Sequence, residues 1–292
     1  VTGDPNSINS EIIYKSWKKI NKKLKSNIYL ISNFNLLKKQ FIKLKIPINI
    51  KKVENIYSKT KNTNTLKIID LDIKLNKNPF KIKSKSASKF VIDSLNYAHS
   101  LASKGKVKGM INCAINKNLL LKEKIGVTEF LSSKCGVKDD SEAMLIYNSK
   151  LSICPITTHI DIKDVSKVIS KKKIINKVKT IVAWHRKIFK KKPKIAILGL
   201  NPHNAEMRMN TEEKKIIIPS INYLKKLNIN INGPFSADTM FINQYKKYDI
   251  VIGMFHDQII TPFKTLFKFD AINVTLGLKY LRVSPDHGTA LD

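Results

Sequence analysis

Residues 195–203 read IAILGLNPH, a short apolar run that leads into a histidine. Residues 151–159, LSICPITTH, and residues 250–256, IVIGMFH, have the same form. Short apolar runs separated by helical patterns are typical of buried parallel strands in an α/β sheet. Ligands bind beyond the carboxyl ends of such strands. The three runs therefore predict an α/β fold in which three imidazoles reach one crevice.

His159, His203 and His256 are half of the six histidines in the chain. A single histidine beside a strand is more often a satisfied core residue than a ligand, and that is the alternative for each of them. Their shared placement favours a joint role instead. Three neutral imidazoles that leave coordination positions open would form a site for a divalent metal ion.

The chain has 292 residues, of which 42% are hydrophobic, so it can bury a sizeable core, and we expect two lobes. No apolar stretch reaches the ~18 residues that a membrane span needs. No charged segment followed by an apolar one opens the chain, and the three cysteines are widely spaced. These features predict a cytoplasmic protein with reduced thiols and no membrane partner.

The formal net charge of +32 raises the hypothesis of a noncatalytic basic protein that binds polyanions. Proteins that read base edges depend on the two-pronged guanidinium of arginine. Here only Arg186, Arg208 and Arg282 are arginines among 54 basic residues, and the lysines are spread throughout. We therefore expect no specific nucleic-acid partner, although such a surface would steer a phosphorylated substrate toward the protein.

The spacing of the ten glycines excludes the two common glycine-rich nucleotide-binding motifs. None follow the G-x-G-x-x-G spacing of a dinucleotide fingerprint or the G-x-x-x-x-G-K spacing of a P-loop. Arg282 stands out for the opposite reason, because arginine is so scarce in this chain. It is predicted to bind a phosphate or carboxylate through two parallel hydrogen bonds, and the alternative is an ion pair with a nearby aspartate.

Helical spacing of apolar residues recurs along the chain and alternates with the strand-like runs. His185 lies in one of these helical stretches, where the pattern predicts a surface position. The predicted helices cover residues 12–24, 35–44, 86–103, 212–227 and 239–247, and residues 164–192 form either one long helix or two consecutive helices.

Five ordered motifs resemble the 4-hydroxythreonine-4-phosphate dehydrogenase family of vitamin B6 biosynthesis. They are TTHIDIKD (157–164), LGLNPHNAE (198–206), NGPFSADTMF (232–241), MFHDQ (254–258) and SPDHGTALD (284–292). The resemblance implies a fold like that of the isocitrate and isopropylmalate dehydrogenases, in which two α/β lobes flank the active-site cleft. It also implies binding of NAD or NADP without a glycine fingerprint, and a homodimer with its active site at the subunit interface.

The resemblance also implies roles for individual residues. The family's three metal ligands match His159, His203 and His256. Its substrate-binding residues match Thr128, Lys264, Asn273 and Arg282. Asp238 is implied as the residue that transfers a proton, and Lys117 matches a lysine that the family keeps close to the site.

The implied reaction is the metal- and NAD-dependent oxidation of 4-phosphooxy-L-threonine to 2-amino-3-oxo-4-phosphooxybutanoate. This β-keto acid then loses CO₂ to give 3-amino-2-oxopropyl phosphate. Zinc, cobalt or magnesium is expected to support the reaction, with imidazole ligands favouring zinc.

The chain also departs from the family pattern. Val127 occupies the position of a histidine in the motif Gly-His-Thr-Glu-Phe, which leaves open a related dehydrogenase of another phosphorylated hydroxy acid, such as a threonate phosphate. The predicted lobes are residues 1–117 with about 275–292, and about 118–274. Because the chain lacks an initial methionine and stops inside its last motif, we expect truncation at both ends.

Overall fold

The computed structural model describes residues 1–58, 63–120, 126–137 and 141–289. The chain divides into two compact units. Unit 1 consists of Val1–Leu131 with Arg282–Asp292, and unit 2 is Ser132–Leu281. The lobe boundaries predicted near residues 117 and 275 stay a prediction beside this division.

Strands and helices alternate along much of the chain. The strands are β1 (Tyr29–Ser32), β2 (Ile50–Val53), β3 (Leu66–Asp70), β4 (Gly109–Ile111), β5 (Ala143–Tyr147), β6 (Ser152–Pro155), β7 (Ile195–Leu198), β8 (Ile231–Phe235), β9 (Ile250–Gly253), β10 (Ile272–Leu276) and β11 (Leu281–Pro285). The helices are α1 (Asn9–Lys19), α2 (Lys22–Lys25), α3 (Phe34–Lys43), α4 (Ser84–Ser103), α5 (Val127–Lys134), α6 (Ile162–Val168), α7 (Lys171–Phe189), α8 (Ile218–Lys226), α9 (Ala237–Met240) and α10 (His256–Phe267). The predicted α/β class is confirmed.

Unit 1 contains a parallel three-stranded sheet in the order β1-β3-β2. Trp17 of α1 and Phe41 of α3 are buried in one apolar cluster with Ile68 of β3. Helix α4 buries Val91 and Leu95 on its apolar face, one helical turn apart. In the same unit, β4 and β11 are neighbouring strands.

Unit 2 is built on a sheet in the order β10-β5-β6-β9-β7-β8. The strands β6, β9, β7 and β8 are parallel, whereas β10, β5 and β6 pair antiparallel. Every residue of β6, β7 and β9 is buried, which explains why these strands have continuous rather than alternating apolar sequences. The three strands predicted from the histidine-containing runs are therefore confirmed, and they are adjacent.

Three sequence-based expectations require correction. The helix predicted over residues 12–24 is broken at Asn21, whose side chain accepts a hydrogen bond from the Leu24 amide and starts α2. The helix predicted over residues 239–247 is two short segments, α9 and a 3₁₀ turn at Gln244–Lys247. His185 is buried rather than on the surface, and its Nδ1 is 3.0 Å from the Lys191 carbonyl.

Within the ranges that the structure describes, no helix combines the length and apolar character that crossing a membrane requires.

Candidate functional site

In unit 2, the loops at the carboxyl ends of four adjacent parallel strands lead to four of the predicted site residues. The loops after β6, β7 and β9 lead to His159, His203 and His256, respectively. The loop after β8 leads to Asp238 in α9. Because the strands are parallel, these ends share one edge of the sheet, where α/β proteins bind their ligands.

The structure brings these side chains together in two pairs. The ring centroids of His159 and His256 are 5.8 Å apart. His203 Nε2 is 3.5 Å from Asp238 Oδ2, and both of these side chains are largely exposed. His256 Nδ1 is 2.7 Å from Oδ1 of Asp257, a neighbour whose contact the sequence analysis did not anticipate.

Across the described residues, no three His, Cys, Asp or Glu side chains are grouped closely enough to hold a metal ion. The three-imidazole site therefore stays a prediction. The chemistry of the donor set does fit a divalent ion, since imidazoles are preferred nitrogen ligands with metal–nitrogen bonds of about 2.1 Å. The separation of the His159 and His256 rings is within reach of one shared ion.

A chain of hydrogen bonds joins the three histidine-bearing loops. Thr157 donates to the Met254 carbonyl through both its amide and its hydroxyl, at 3.1 and 2.7 Å. The Met254 amide donates to Gln258 Oε1 at 2.6 Å, and Gln258 Nε2 donates to the Gly199 carbonyl at 2.7 Å. Sequence reasoning missed Gln258, for which the only signal was its place two residues after His256.

Glu213 also fixes the loop after β7, through hydrogen bonds to its backbone. Its side chain is fully buried, and Oε1 accepts hydrogen bonds from the amides of Leu200 and Asn201, both at 2.8 Å. Burial alone would raise the pKa of Glu213, but the hydrogen bonds from Asn201 and Leu200 outweigh it and lower the pKa. A buried carboxylate therefore fixes the loop that carries His203.

The turn that contains His203 has an uncommon backbone. Residues His203 to Met207 all have positive φ values, between 47° and 58°. Glycine adopts this region readily, whereas other L-residues incur a cost of roughly 1–2 kcal/mol each. In this chain, five consecutive residues other than glycine therefore take up a conformation that glycine favours.

In unit 1 the structure gathers Arg282, Thr128 and Asn112. The Arg282 guanidinium is buried, and its Nε donates to Asn112 Oδ1 at 2.8 Å. Its Nη1 donates to the Thr128 hydroxyl at 3.4 Å. Two predicted substrate-binding residues are therefore neighbours, and Asn112 orients one of them. Lys117 is exposed at the start of a 3₁₀ turn, Lys117–Leu120.

Lys264 and Asn273, the other predicted substrate-binding residues, lie in unit 2. Lys264 Nζ is 5.0 Å from the centroid of the Phe269 ring. Asn273 lies in β10, and its side-chain Oδ1 is buried and has no hydrogen-bond partner among the residues that the structure describes. An unsatisfied buried amide oxygen of this kind is costly to a protein and requires a physical explanation.

Comparison with known proteins identifies relatives along the full chain. A curated 4-hydroxythreonine-4-phosphate dehydrogenase from Sulfurihydrogenibium sp. is 38% identical over 99% of this chain and 89% of its own length. The enzyme of the same name from Aquifex aeolicus is 36% identical with the same coverage.

Solved structures agree with these sequence relatives. A 4-hydroxythreonine-4-phosphate dehydrogenase from Burkholderia phymatum matches the whole chain, and 89% of its own, with a TM-score of 0.83 and 28% identity. A structure described as a putative enzyme of that name, from Salmonella typhimurium, matches the whole chain and 90% of its own, with a TM-score of 0.85 and 28% identity. The fold implied by the motif resemblance is therefore confirmed.

The sequence model of the protein family described as "Pyridoxal phosphate biosynthetic protein PdxA" matches residues 23–292 of this chain. This match covers all five motifs on which the resemblance was based. The family predicted from the sequence is confirmed: the chain belongs to the PdxA family of pyridoxal phosphate biosynthetic proteins.

Proposed function

We propose that this chain is an NAD-dependent 4-hydroxythreonine-4-phosphate dehydrogenase. The substrate, 4-phosphooxy-L-threonine, loses a hydride from its C3 carbon and a proton from the hydroxyl on that carbon. The product, 2-amino-3-oxo-4-phosphooxybutanoate, is a β-keto acid and decarboxylates to 3-amino-2-oxopropyl phosphate. The family match and the identity of the curated relatives support this assignment.

His159, His203 and His256 are the residues that would hold a divalent ion. Bound there, zinc, cobalt or magnesium would act as a Lewis acid toward the substrate hydroxyl, and NAD⁺ or NADP⁺ would accept the hydride. Asp257 sets the tautomer of one of these ligands, His256. With Nδ1 of His256 donating to its carboxylate, Nε2 keeps the free lone pair that a metal requires.

Asp238 is the proposed acceptor of the hydroxyl proton. Its carboxylate lies beside His203 at the carboxyl edge of the sheet and is accessible, with 56% of the side chain exposed. A general base must reach the proton that it removes, and an exposed carboxylate at this edge can do so. Lys117 is proposed to lie close to the substrate, as the family resemblance implies.

The substrate phosphate is proposed to bind Arg282 and Lys264, with neutral hydrogen bonds from Thr128 and Asn273. The scarcity of arginine, the burial of Arg282 and its contact with Thr128 support this role. The buried Oδ1 of Asn273 has no hydrogen-bond partner among the described residues, which supports a contact between Asn273 and a donor group of the substrate such as its ammonium.

The same family likeness supports a cytoplasmic homodimer whose active site lies at the interface between subunits. The observation that carries the functional proposal is the placement of His159, His203 and His256 after adjacent parallel strands.

The test is a substrate panel in which NADH or NADPH formation is followed by absorbance. We expect turnover with 4-phosphooxy-L-threonine and a divalent ion. Preference for another phosphorylated hydroxy acid, such as a threonate phosphate, would favour the alternative dehydrogenase that Val127 suggests. No substrate-dependent signal, together with salt-sensitive binding of polyanions, would overturn the enzyme assignment in favour of a noncatalytic basic protein.

A further inference from the structure

We propose that Gln258 is a positioning residue that fixes the spacing between the loops carrying His203 and His256. The inference rests on the proposed function, because it concerns the metal site that these histidines would form. Gln258 is half-buried in the first turn of α10, on unit 2. It has no place among the metal- or substrate-binding residues assigned above.

Both the oxygen and the nitrogen of the Gln258 side-chain amide form hydrogen bonds with backbone groups. Oε1 accepts from the Met254 amide at 2.6 Å, and Nε2 donates to the Gly199 carbonyl at 2.7 Å. Met254 comes two residues before His256, and Gly199 comes four residues before His203. One side chain therefore connects the ends of β9 and β7 at the point where each chain leaves the sheet.

The chemistry of the connection is specific to glutamine. A side chain in this place must accept from one loop and donate to the other, at the length of two methylene groups. Glutamate at neutral pH offers only acceptors, methionine offers neither group with strength, and asparagine is one methylene shorter. Substitution would therefore remove at least one of the two connections.

Gly253 lets Gln258 approach the strand end closely. A Cβ atom at Gly253 would lie 2.8 Å from Gln258 Oε1 and 2.3 Å from Ile259 Cγ2. Neither distance is tolerable for a real Cβ atom, so the position requires glycine if the first turn of α10 is to stay where it is. The strand end and the helix start are thus built around this contact.

The effect of Gln258 extends to the third histidine. The Met254 carbonyl accepts both hydrogen bonds from Thr157, which comes two residues before His159. Movement of Met254 would therefore shift the β6 loop together with the β9 loop. Metal sites tolerate errors of only about 0.5 Å in ligand position, so loosening these loops would weaken metal binding.

Gln40 provides a matched control in unit 1. It is buried, and its Nε2 donates to the carbonyls of Pro5 and Pro79 at 2.8 and 2.9 Å. Like Gln258, it joins two loops through backbone groups, but none of the proposed metal ligands is in its unit. Gln40→Met should cost stability without affecting metal binding.

The experiment measures Co²⁺ binding by visible absorption to metal-free protein without a histidine tag. Wild type, Gln258→Met, Gln258→Glu and Gln40→Met are compared, with a thermal unfolding curve for each to establish that it is folded. We expect both Gln258 variants to bind Co²⁺ about 10- to 100-fold more weakly than wild type, with a changed spectrum. Gln40→Met should bind like wild type.

If a folded Gln258 variant binds Co²⁺ with wild-type affinity and spectrum, Gln258 is merely structural and the inference is wrong, while the proposed function stands. If the wild type itself binds no Co²⁺, the proposed metal site is wrong and the inference falls with it. An equal loss of affinity in Gln40→Met would also overturn the inference, because general destabilisation would then explain the effect.

Discussion

The two units hold their candidate site residues in opposite ways. In unit 1, Arg282 is only 3% exposed, and its guanidinium is fixed by a hydrogen bond from Nε to the side chain of Asn112. In unit 2, His203 is 72% exposed at its side chain, whereas the loop behind it is fixed through its backbone by Glu213 and Gln258. For Arg282, unit 1 orders the functional group itself, whereas for His203, unit 2 orders mainly the loop that carries it.

This difference follows from the flexibility of the two side chains. Arginine has many rotamers, and ordering it costs about 2 kcal/mol of conformational entropy. Burial and Asn112 meet that cost during folding, before any anion arrives. Imidazole has only two side-chain torsions, so a metal ion can order it cheaply once the backbone has the correct spacing.

Removal of the metal ion is expected to have the largest effect. It should abolish most of the turnover, which depends on the histidines of unit 2, but not the anion binding by Arg282 of unit 1. Loss of a Lewis acid costs several kcal/mol of transition-state stabilisation, so turnover should fall by at least about 100-fold after chelation. Binding of inorganic phosphate, measured by calorimetry, should persist because Arg282 needs no metal. Zn²⁺, Co²⁺ or Mg²⁺ should restore activity. Undiminished turnover in a sample verified as metal-free would contradict the prediction.

Arg282→Lys addresses the opposite unit. It keeps the charge but loses the fork and the Nε bond to Asn112, so we expect a loss of about 1.5–3 kcal/mol in transition-state binding. The measurement is kcat/KM, and Co²⁺ affinity should be unchanged. Arg186→Lys, on the exposed side of α7, serves as the matched control. A lower Tm with wild-type kcat/KM would mean that Arg282 is only structural.

Glu213→Gln tests how firmly the His203 loop is held. It replaces charge-assisted hydrogen bonds by neutral ones, which should lower the free energy of unfolding by about 1–2 kcal/mol. Because the pKa of Glu213 is lowered in the folded chain, its contribution is fully present above the ordinary value of 4.5 and is lost as pH falls through the lower folded value.

The stability difference between wild type and Glu213→Gln should therefore shrink in acid. Denaturant unfolding at neutral pH and below pH 4.5 measures it. Glu206→Gln, at an exposed position of the same loop, should change little at either pH. A difference that grows in acid would show that the sign of the linkage is wrong.

Val127→His is expected to have the smallest effect. Val127 is the first residue of α5, directly before Thr128, and the family's histidine would return there. We expect Lys117 or Asn116 to have replaced that imidazole, so kcat/KM should change by less than tenfold, or about 1.4 kcal/mol. A larger gain specific to 4-phosphooxy-L-threonine would mean that this chain prefers a different substrate.

The sequence predicted those elements whose cause is local. Continuous apolar runs gave β6, β7 and β9 correctly, because strands buried on both faces need no alternation. The break at Asn21 was missed because two short helices and one long helix show the same apolar spacing. Capping by a single side chain decides between them.

The positioning residues could not be predicted for a different reason. Asn112 and Arg282 are separated by 170 residues, and only the pairing of distant segments brings them together. Glu213 and Gln258 resemble ordinary surface residues in the sequence, since nothing local shows that their partners are backbone groups of another loop. The helical pattern placed His185 on the surface because it does not show that the Lys191 carbonyl, just beyond the end of α7, comes close to this side chain.

Cys154 lies at the centre of β6, fully buried, and burial raises the pKa of its thiol to about 12. At neutral pH it carries almost no thiolate, which is the form that attacks disulfide reagents. Cys135, in the same unit, is buried as well. Cys154 is therefore inert to disulfide reagents and alkylating agents while β6 stays folded. The rate at which a thiol reagent labels Cys154 would therefore report how often the central sheet of unit 2 unfolds, so this residue is a natural probe of unfolding kinetics.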